Sequence, residues 1–133
     1  MELLHEDRFL RILWDGETRI MRLDWQEATS TMSDDDFKNA LALFADYVEE
    51  KKACGILVDV RHFRHKMGPD VQPWRLANIS PRYNAAGVQR FAFLFPEGAQ
   101  TPPIMNQSGE GEQFITRAFI SQEKAFAWLG ELD

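Results

Sequence analysis

The densest group of chemistry-bearing side chains follows Asp59, where Arg61, His62, Arg64, His65 and Lys66 lie in one short stretch before Gly68-Pro69. Guanidinium groups clustered in this way can bind a phosphate, a carboxylate or an acidic segment of another protein, because each offers a planar fork to two anionic oxygens. The competing reading is a solvated loop whose arginines pair with the chain's surplus of acidic residues, an arrangement worth little at an exposed surface. Arg75 and Arg82, in the next segment, either join the cluster or face water. His62 and His65 would share one side only on a helix, whereas Gly68 and Pro69 indicate a loop. A metal would need a third ligand such as Asp59 or Asp70, so no metal site is assigned.

Asp59 ends a hydrophobic run, where desolvation is expected to raise its pKa and suit it to acid or base work. The commoner alternative is that it accepts backbone N–H groups or pairs with Arg61 or Arg90. The candidate ligand- or partner-binding residues are thus Asp59, Arg61, His62, Arg64, His65, Trp74 and Arg75, with no catalytic residue and no cofactor assigned. Other motifs carry less. Ser108 in S-G-E-G lacks the strand and helix that flank a nucleophile elbow, and Gly109 and Gly111 precede no Lys-Ser or Lys-Thr pair of a phosphate-cradling loop. Cys54, the single cysteine, can form no intramolecular disulfide and reads as a small core residue.

The element that must position this cluster is Ile56–Val60, β-branched and continuously apolar around Asp59. Such a run has no wet face and belongs centrally in a sheet covered by helices. Upstream, Arg8 to Leu23 reads as a hairpin, with Leu10, Ile12 and Trp14 alternating onto one face and Asp15-Gly16 supplying a type I′ turn. The segment before it is read as loose, His5 included, and Trp25 is expected to plug a sheet end. Ser33 is an N-cap, Asp34, Asp35 and Asp36 occupy a first helical turn, and Met32 with Phe37 has the spacing of a hydrophobic staple. Phe37, Leu41, Phe44 and Val48 then form one apolar stripe, and Lys51, Lys52 and Gly55 end the helix.

Downstream, Trp74, Leu76, Ala77 and Ile79 are read as the buried side of a second helix that Ser80-Pro81 must break or kink. Val88 to Phe95 reads as another buried strand. Residues 97–112 read as a loop, the most mobile part of the chain, with a short helical turn near Ile104 to Gln107. Phe114 to Ile120 reads as the last strand, and Ser121 caps a closing helix whose inner side is Ala125, Trp128, Leu129 and Leu132. Ten Phe and four Trp are mostly core; Trp25, Trp74 or Phe63, if exposed beside the loop, would make a dimer contact or a ligand pocket.

These elements give the order ββαβαββα, an α/β fold with a mixed sheet and helices packed against it, and the turns after Asp59 and Phe95 fall at one end of the sheet. The chain of 133 residues is the size of one domain, 1–133. Its net charge of -6 and pI near 5.1 argue against nucleic acid as a partner. No apolar run approaches the roughly 20 residues of a membrane span, and the acidic N-terminus is unlike a signal peptide, so the expected location is the cytoplasm.

The early hairpin, the helix S-D-D-D-F-K-N-A-L-A-L-F, the strands G-I-L-V-D-V-R and Q-R-F-A-F-L-F, and the ending F-I-S-Q-E-K-A-F-A-W-L together resemble the STAS domain (sulfate transporter and anti-sigma factor antagonist). The narrower likeness is to the short bacterial proteins described as stage II sporulation protein AA-like. Anti-sigma antagonists of that fold present a phosphorylatable Ser or Thr after the strand that matches Ile56–Val60. Here the stretch is Asp59-Val60-Arg61-His62-Phe63, without a hydroxyl. The resemblance therefore implies a non-enzymatic regulatory or protein-interaction domain, with homodimer formation among its expectations, acting through the 61–75 edge. The alternative is a binder of a small anionic or lipid-like ligand in a cleft beside that edge, since the similar CRAL-TRIO fold serves lipid-binding proteins.

Overall fold

Gly55–Asp59 forms β4, in which every residue is buried, and it stands inside a six-stranded sheet whose spatial order follows the chain, β1 to β6. The computed structural model describes residues 1–99 and 109–131. Three strands precede β4: β1 (Glu2–Glu6), β2 (Leu10–Asp15) and β3 (Ile20–Trp25). They form an antiparallel meander. From β3 onward pairing is parallel, through β4, β5 (Arg90–Leu94) and β6 (Ile115–Phe119). The remaining elements are a 3-10 turn at Glu27–Thr31, α1 (Asp34–Lys51), α2 (Val71–Asn78), α3 (Ser80–Ala86) and α4 (Gln122–Leu129).

The sheet divides its side chains by parity. Met21, Leu23, Ile56, Val58 and Phe91 join α1 and Tyr83 of α3 in the larger core, while Ile20, Leu57 and Ala92 meet Ala125, Trp128 and Leu129 of α4 on the opposite face. Parallel strands need helical crossovers, and covering both faces accounts for the absence of alternation in β4. Helix α4 packs over β4, β5 and β6 and reaches β3 through Ile20 and Arg22.

Helix α1 starts as its sequence dictates. The Ser33 hydroxyl accepts from the Asp36 amide at 3.0 Å and the Asp36 carboxylate accepts from the Ser33 amide at 3.0 Å, a reciprocal capping box. Met32 and Phe37 both enter the core, as a staple requires. Substituting Ser33 with Ala should destabilise the fold by about 1 kcal/mol in urea unfolding; an unchanged midpoint would show that the box contributes nothing net.

Several expectations are corrected. Glu2–Glu6 is a strand and not a loose end, with His5 Nε2 bonded to Asp7 at 2.7 Å. The β2–β3 connection is four residues, 16–19, with Asp15 paired to Ile20. The positive φ falls on Arg19 at 60° and not on Gly16, so the type I′ turn is absent. Asp15 instead accepts from the Glu17 amide and the Thr18 hydroxyl, fixing the wider loop with its side chain. The left-handed residue closing α1 is Lys52, not Gly55. Cys54 is only half-buried; its neighbour Ala53 is the core residue.

The second helical region is two helices, because the break at Ile79-Ser80-Pro81 is complete, and the observed order is βββαβααββα. Within α2 only Val71 is buried, and Ala77 faces solvent. The helical turn expected at Ile104 to Gln107 and the core position expected for Leu132 lie outside the described residues.

Candidate functional site

The ends of β3, β4 and β5 carry two different sites, one on each face of the sheet, because consecutive residues of a strand point to opposite sides. Asp59 is on the α4 face, the same side as Leu57. The parallel register sets Asp24 beside Asp59, which would place two carboxylates on adjacent strands with nothing between them. Arg22 relieves this: its Nε donates to Asp24 at 2.5 Å and its Nη2 to Asp59 at 3.2 Å. Arg61 then closes on Asp59 from the loop, with Nε at 3.0 and 3.1 Å from the two oxygens, Nη2 at 2.7 Å and its backbone amide at 3.0 Å.

Asp59 is 4% exposed. Burial pulls its pKa upward, but the Arg61 hydrogen bonds and the charges of Arg61 and Arg22 outweigh it, and the carboxyl sits below the ordinary range. The raised pKa expected from the strand end alone is thus reversed, and the partners are Arg61 and Arg22, not Arg90. Arg90 instead donates to the Trp128 carbonyl at 2.5 Å. An ionised carboxylate with its lone pairs occupied by donors is a structural anion, not a free acid or base.

The basic stretch does not converge. His65 Nε2 meets Asp34 Oδ1 at 2.8 Å, whereas His62 Nδ1 lies 3.6 Å from Glu27 on the exposed side. Among the described residues no group of three or more His, Cys, Asp or Glu could hold a metal. Arg64 turns back to the carbonyls of Arg61 and Phe63. Arg75 leaves the cluster for Glu112 at 3.0 Å, and Arg82 pairs with Asp46 and Glu49 on α1. Trp74 stands apart, half-buried under Lys38.

What the loop does instead is close the second site. The amide of Arg64 donates to Thr29 Oγ1 at 2.8 Å, and the fully buried Thr29 hydroxyl donates onward to the Gln26 carbonyl at 2.8 Å. Asp34, at the first turn of α1, accepts both His65 and the Gly68 amide, and the His65 hydrogen bond draws its pKa down. These two pins hold Phe63 against Trp25 and Phe37, with ring centroids 5.2 and 5.7 Å apart. Neither Thr29 nor Asp34 was among the sequence candidates. In sequence Asp34 reads as helix capping, and a polar Thr between a strand and a helix carries no signal of what will donate to it.

Behind the pinned loop, on the α1 face, lies a cavity of about 180 Å³. Leu23, Trp25, Val58, Val60, Phe91, Phe93 and Phe95 form its sheet wall, at alternate positions of three strands. Phe37, Leu41 and Phe44 come from α1, Tyr83 from α3, Arg75 from α2, and Phe63 and Met67 from the loop. Every described lining residue but Arg75 and Tyr83 is a hydrocarbon, an aromatic or a thioether. Met67, 49% exposed, stands at the rim. Of the residues singled out in sequence, the structure brings Trp25, Phe63 and Arg75 into this cavity wall and leaves Asp59, Arg61, His62, Arg64, His65 and Trp74 outside its lining.

Replacing Thr29 by Val should cost about 1–3 kcal/mol, the penalty for stranding a buried amide, and should speed hydrogen exchange at the Arg64 amide. Retained protection there would show that the pin is dispensable. Compared with known proteins, this chain matches no family model, no curated protein and no solved structure.

Proposed function

We propose that this protein is a non-catalytic binding module of STAS-like build that takes a small apolar ligand in the cavity between α1 and the sheet. The observation carrying the reading is the cavity itself: about 180 Å³ of space with a nearly all-apolar lining, at the carboxyl ends of parallel strands, where open α/β sheets place their ligands. Close-packed interiors leave few voids larger than a water molecule. An apolar void of about 150 Å³ stays dry and binds benzene, so the scale here is one ring or a short alkyl chain. The loop pinned by Thr29 and Asp34 then serves as the fixed wall on the solvent side, and its exposed Arg64 and Lys66 give a partner protein a surface adjoining the occupied cleft.

The anionic ligand considered from the sequence loses its support, because Arg61 is committed to Asp59 and Arg75 to Glu112. The test is a thermal-shift and native mass-spectrometry screen with single-ring and six- to eight-carbon compounds. A ligand at about 100 times its Kd adds about 2.7 kcal/mol, a rise of several degrees in Tm. Trp25 in the cavity wall should report the same event by a saturable change in fluorescence that Trp25→Phe abolishes. Silence across single-ring and short-chain compounds would sink the proposal.

A further inference from the structure

We infer that this cavity selects uncharged ligands, with the Arg75–Glu112 pair enforcing the selection and the Tyr83 hydroxyl in its wall donating to a neutral acceptor; the inference rests on the ligand-binding reading above. Arg75 is the only charged residue among the described lining residues, and its charge is already matched. Its Nη1 donates to Glu112 Oε2 at 3.0 Å and to Ser80 Oγ at 3.4 Å, and its Nε to Gln72 at 3.1 Å. The Glu112 side chain is 3% exposed and is saturated in turn, by the Ser80 hydroxyl at 2.5 Å and the Gly109 amide.

An anion entering the cavity therefore meets a guanidinium whose field is cancelled by a buried carboxylate, and loses its hydration without compensation. A cation finds no carboxylate among the described lining residues, and both oxygens of Glu112 behind Arg75 are already engaged. The pair is also held in place from outside the cavity. Asn84 donates to the Gly111 carbonyl at 2.8 Å and accepts from the Gln113 amide at 2.9 Å, so the segment bearing Glu112 is tied to α3 on both sides.

A neutral polar group finds different terms. Tyr83 is 2% exposed and lines the cavity. Burial pushes the Tyr83 phenol well above its ordinary range, against the smaller opposing pull of Arg75 and Arg82, so it remains a protonated donor at any working pH. The ligand class is thus a compact apolar body with one uncharged acceptor, such as an aryl amide, ketone or alcohol.

Benzamide, benzoate and benzamidine test this directly, being near-isosteric and respectively neutral, anionic and cationic at pH 7, with toluene as the apolar reference. Wild-type protein should bind benzamide at least about tenfold tighter than either ion, as expected where a charge must be buried unpaired. In Glu112→Gln, benzoate should gain about tenfold on benzamide; in Arg75→Met, benzamidine should gain instead. Tyr83→Phe should weaken benzamide about fivefold while leaving toluene unchanged, the loss of one neutral hydrogen bond.

Equal affinity of wild type for all three isosteres, with toluene bound, overturns the charge selection and leaves the cavity as a ligand site. No binding of toluene or of any isostere overturns the ligand-binding reading itself. If the Glu112 variant does not fold, the wild-type isostere comparison still decides the selection. An unchanged benzamide affinity in Tyr83→Phe removes the tyrosine from the proposal.

Discussion

Replacing Asp59 by Ala should destabilise the protein by about 3 kcal/mol, the lower end of the range for breaking a buried ion pair from one side. The variant leaves Arg22, whose side chain is 11% exposed, with Asp24 as its one charged partner and the neutral Gln122 amide oxygen. Arg61 is 39% exposed and can turn to water, which keeps the loss from the upper end. Asp59→Asn should be milder, because an amide oxygen still accepts from one guanidinium. Chemical unfolding of the variants would measure both; a loss in Asp59→Ala within 0.5 kcal/mol (about the spread of neutral surface changes) would show that the charged network contributes no net stability.

The same carboxylate gives that loss a pH dependence of defined sign. The Asp59 pKa is lowered in the folded protein, so the folded state takes up its proton less readily than the unfolded chain, where the value is about 3.9. Its stabilisation is complete well above that unfolded value and disappears as pH falls through the folded one. Wild type should lose stability on acidification faster than Asp59→Ala, and the gap between them should narrow as pH drops below about 4. A gap that stays constant across this range would place the effect in packing and not in charge.

Phe44→Ala should show an effect of comparable size by another mechanism, about 3–5 kcal/mol from lost burial and the void left behind. Phe44 is fully buried, meets Tyr83 edge-on at 6.3 Å and lines the cavity. Neighbours cannot collapse into the vacated volume while an open cavity adjoins it, so the upper half of that range is expected. The enlarged space should admit a two-ring compound such as naphthalene, which should raise the variant's Tm and leave wild type unmoved. A variant that loses stability but gains no affinity for the larger ligand would show that the new volume and the cavity are not continuous. Against a total stability of roughly 5–15 kcal/mol, either substitution removes a large fraction.

The elements legible in the sequence are those whose signals are local. Ser33 with Asp36, and Ser121 accepting from the Lys124 amide at 3.3 Å, announce helix starts through contacts three residues apart. The stripe Phe37, Leu41, Phe44, Val48 is buried throughout, and the unbroken burial of Gly55–Asp59 is a composition effect visible in the residues themselves. The first strand was illegible because its two acidic ends and weak alternation resemble a solvated terminus, and it forms only by pairing with β2. The Asp15-Gly16 turn misled because Asp15 stabilises a longer loop through its own side chain as readily as a tight one.

The sequence by itself determined the layered α/β plan, the central place of β4 and the delivery of a basic stretch to the sheet's carboxyl end, since periodicity, capping and continuous apolarity act over a few residues. Only the tertiary structure decided what that stretch does. Whether Arg61 meets an incoming anion or Asp59, and whether Arg75 meets a ligand or Glu112, depends on pairs brought together by strand register and by a connection 37 residues distant in the second case. A cavity is likewise a property of what fails to meet across three strands, a helix and a loop, and no stretch of chain records the shape of a space it only partly encloses.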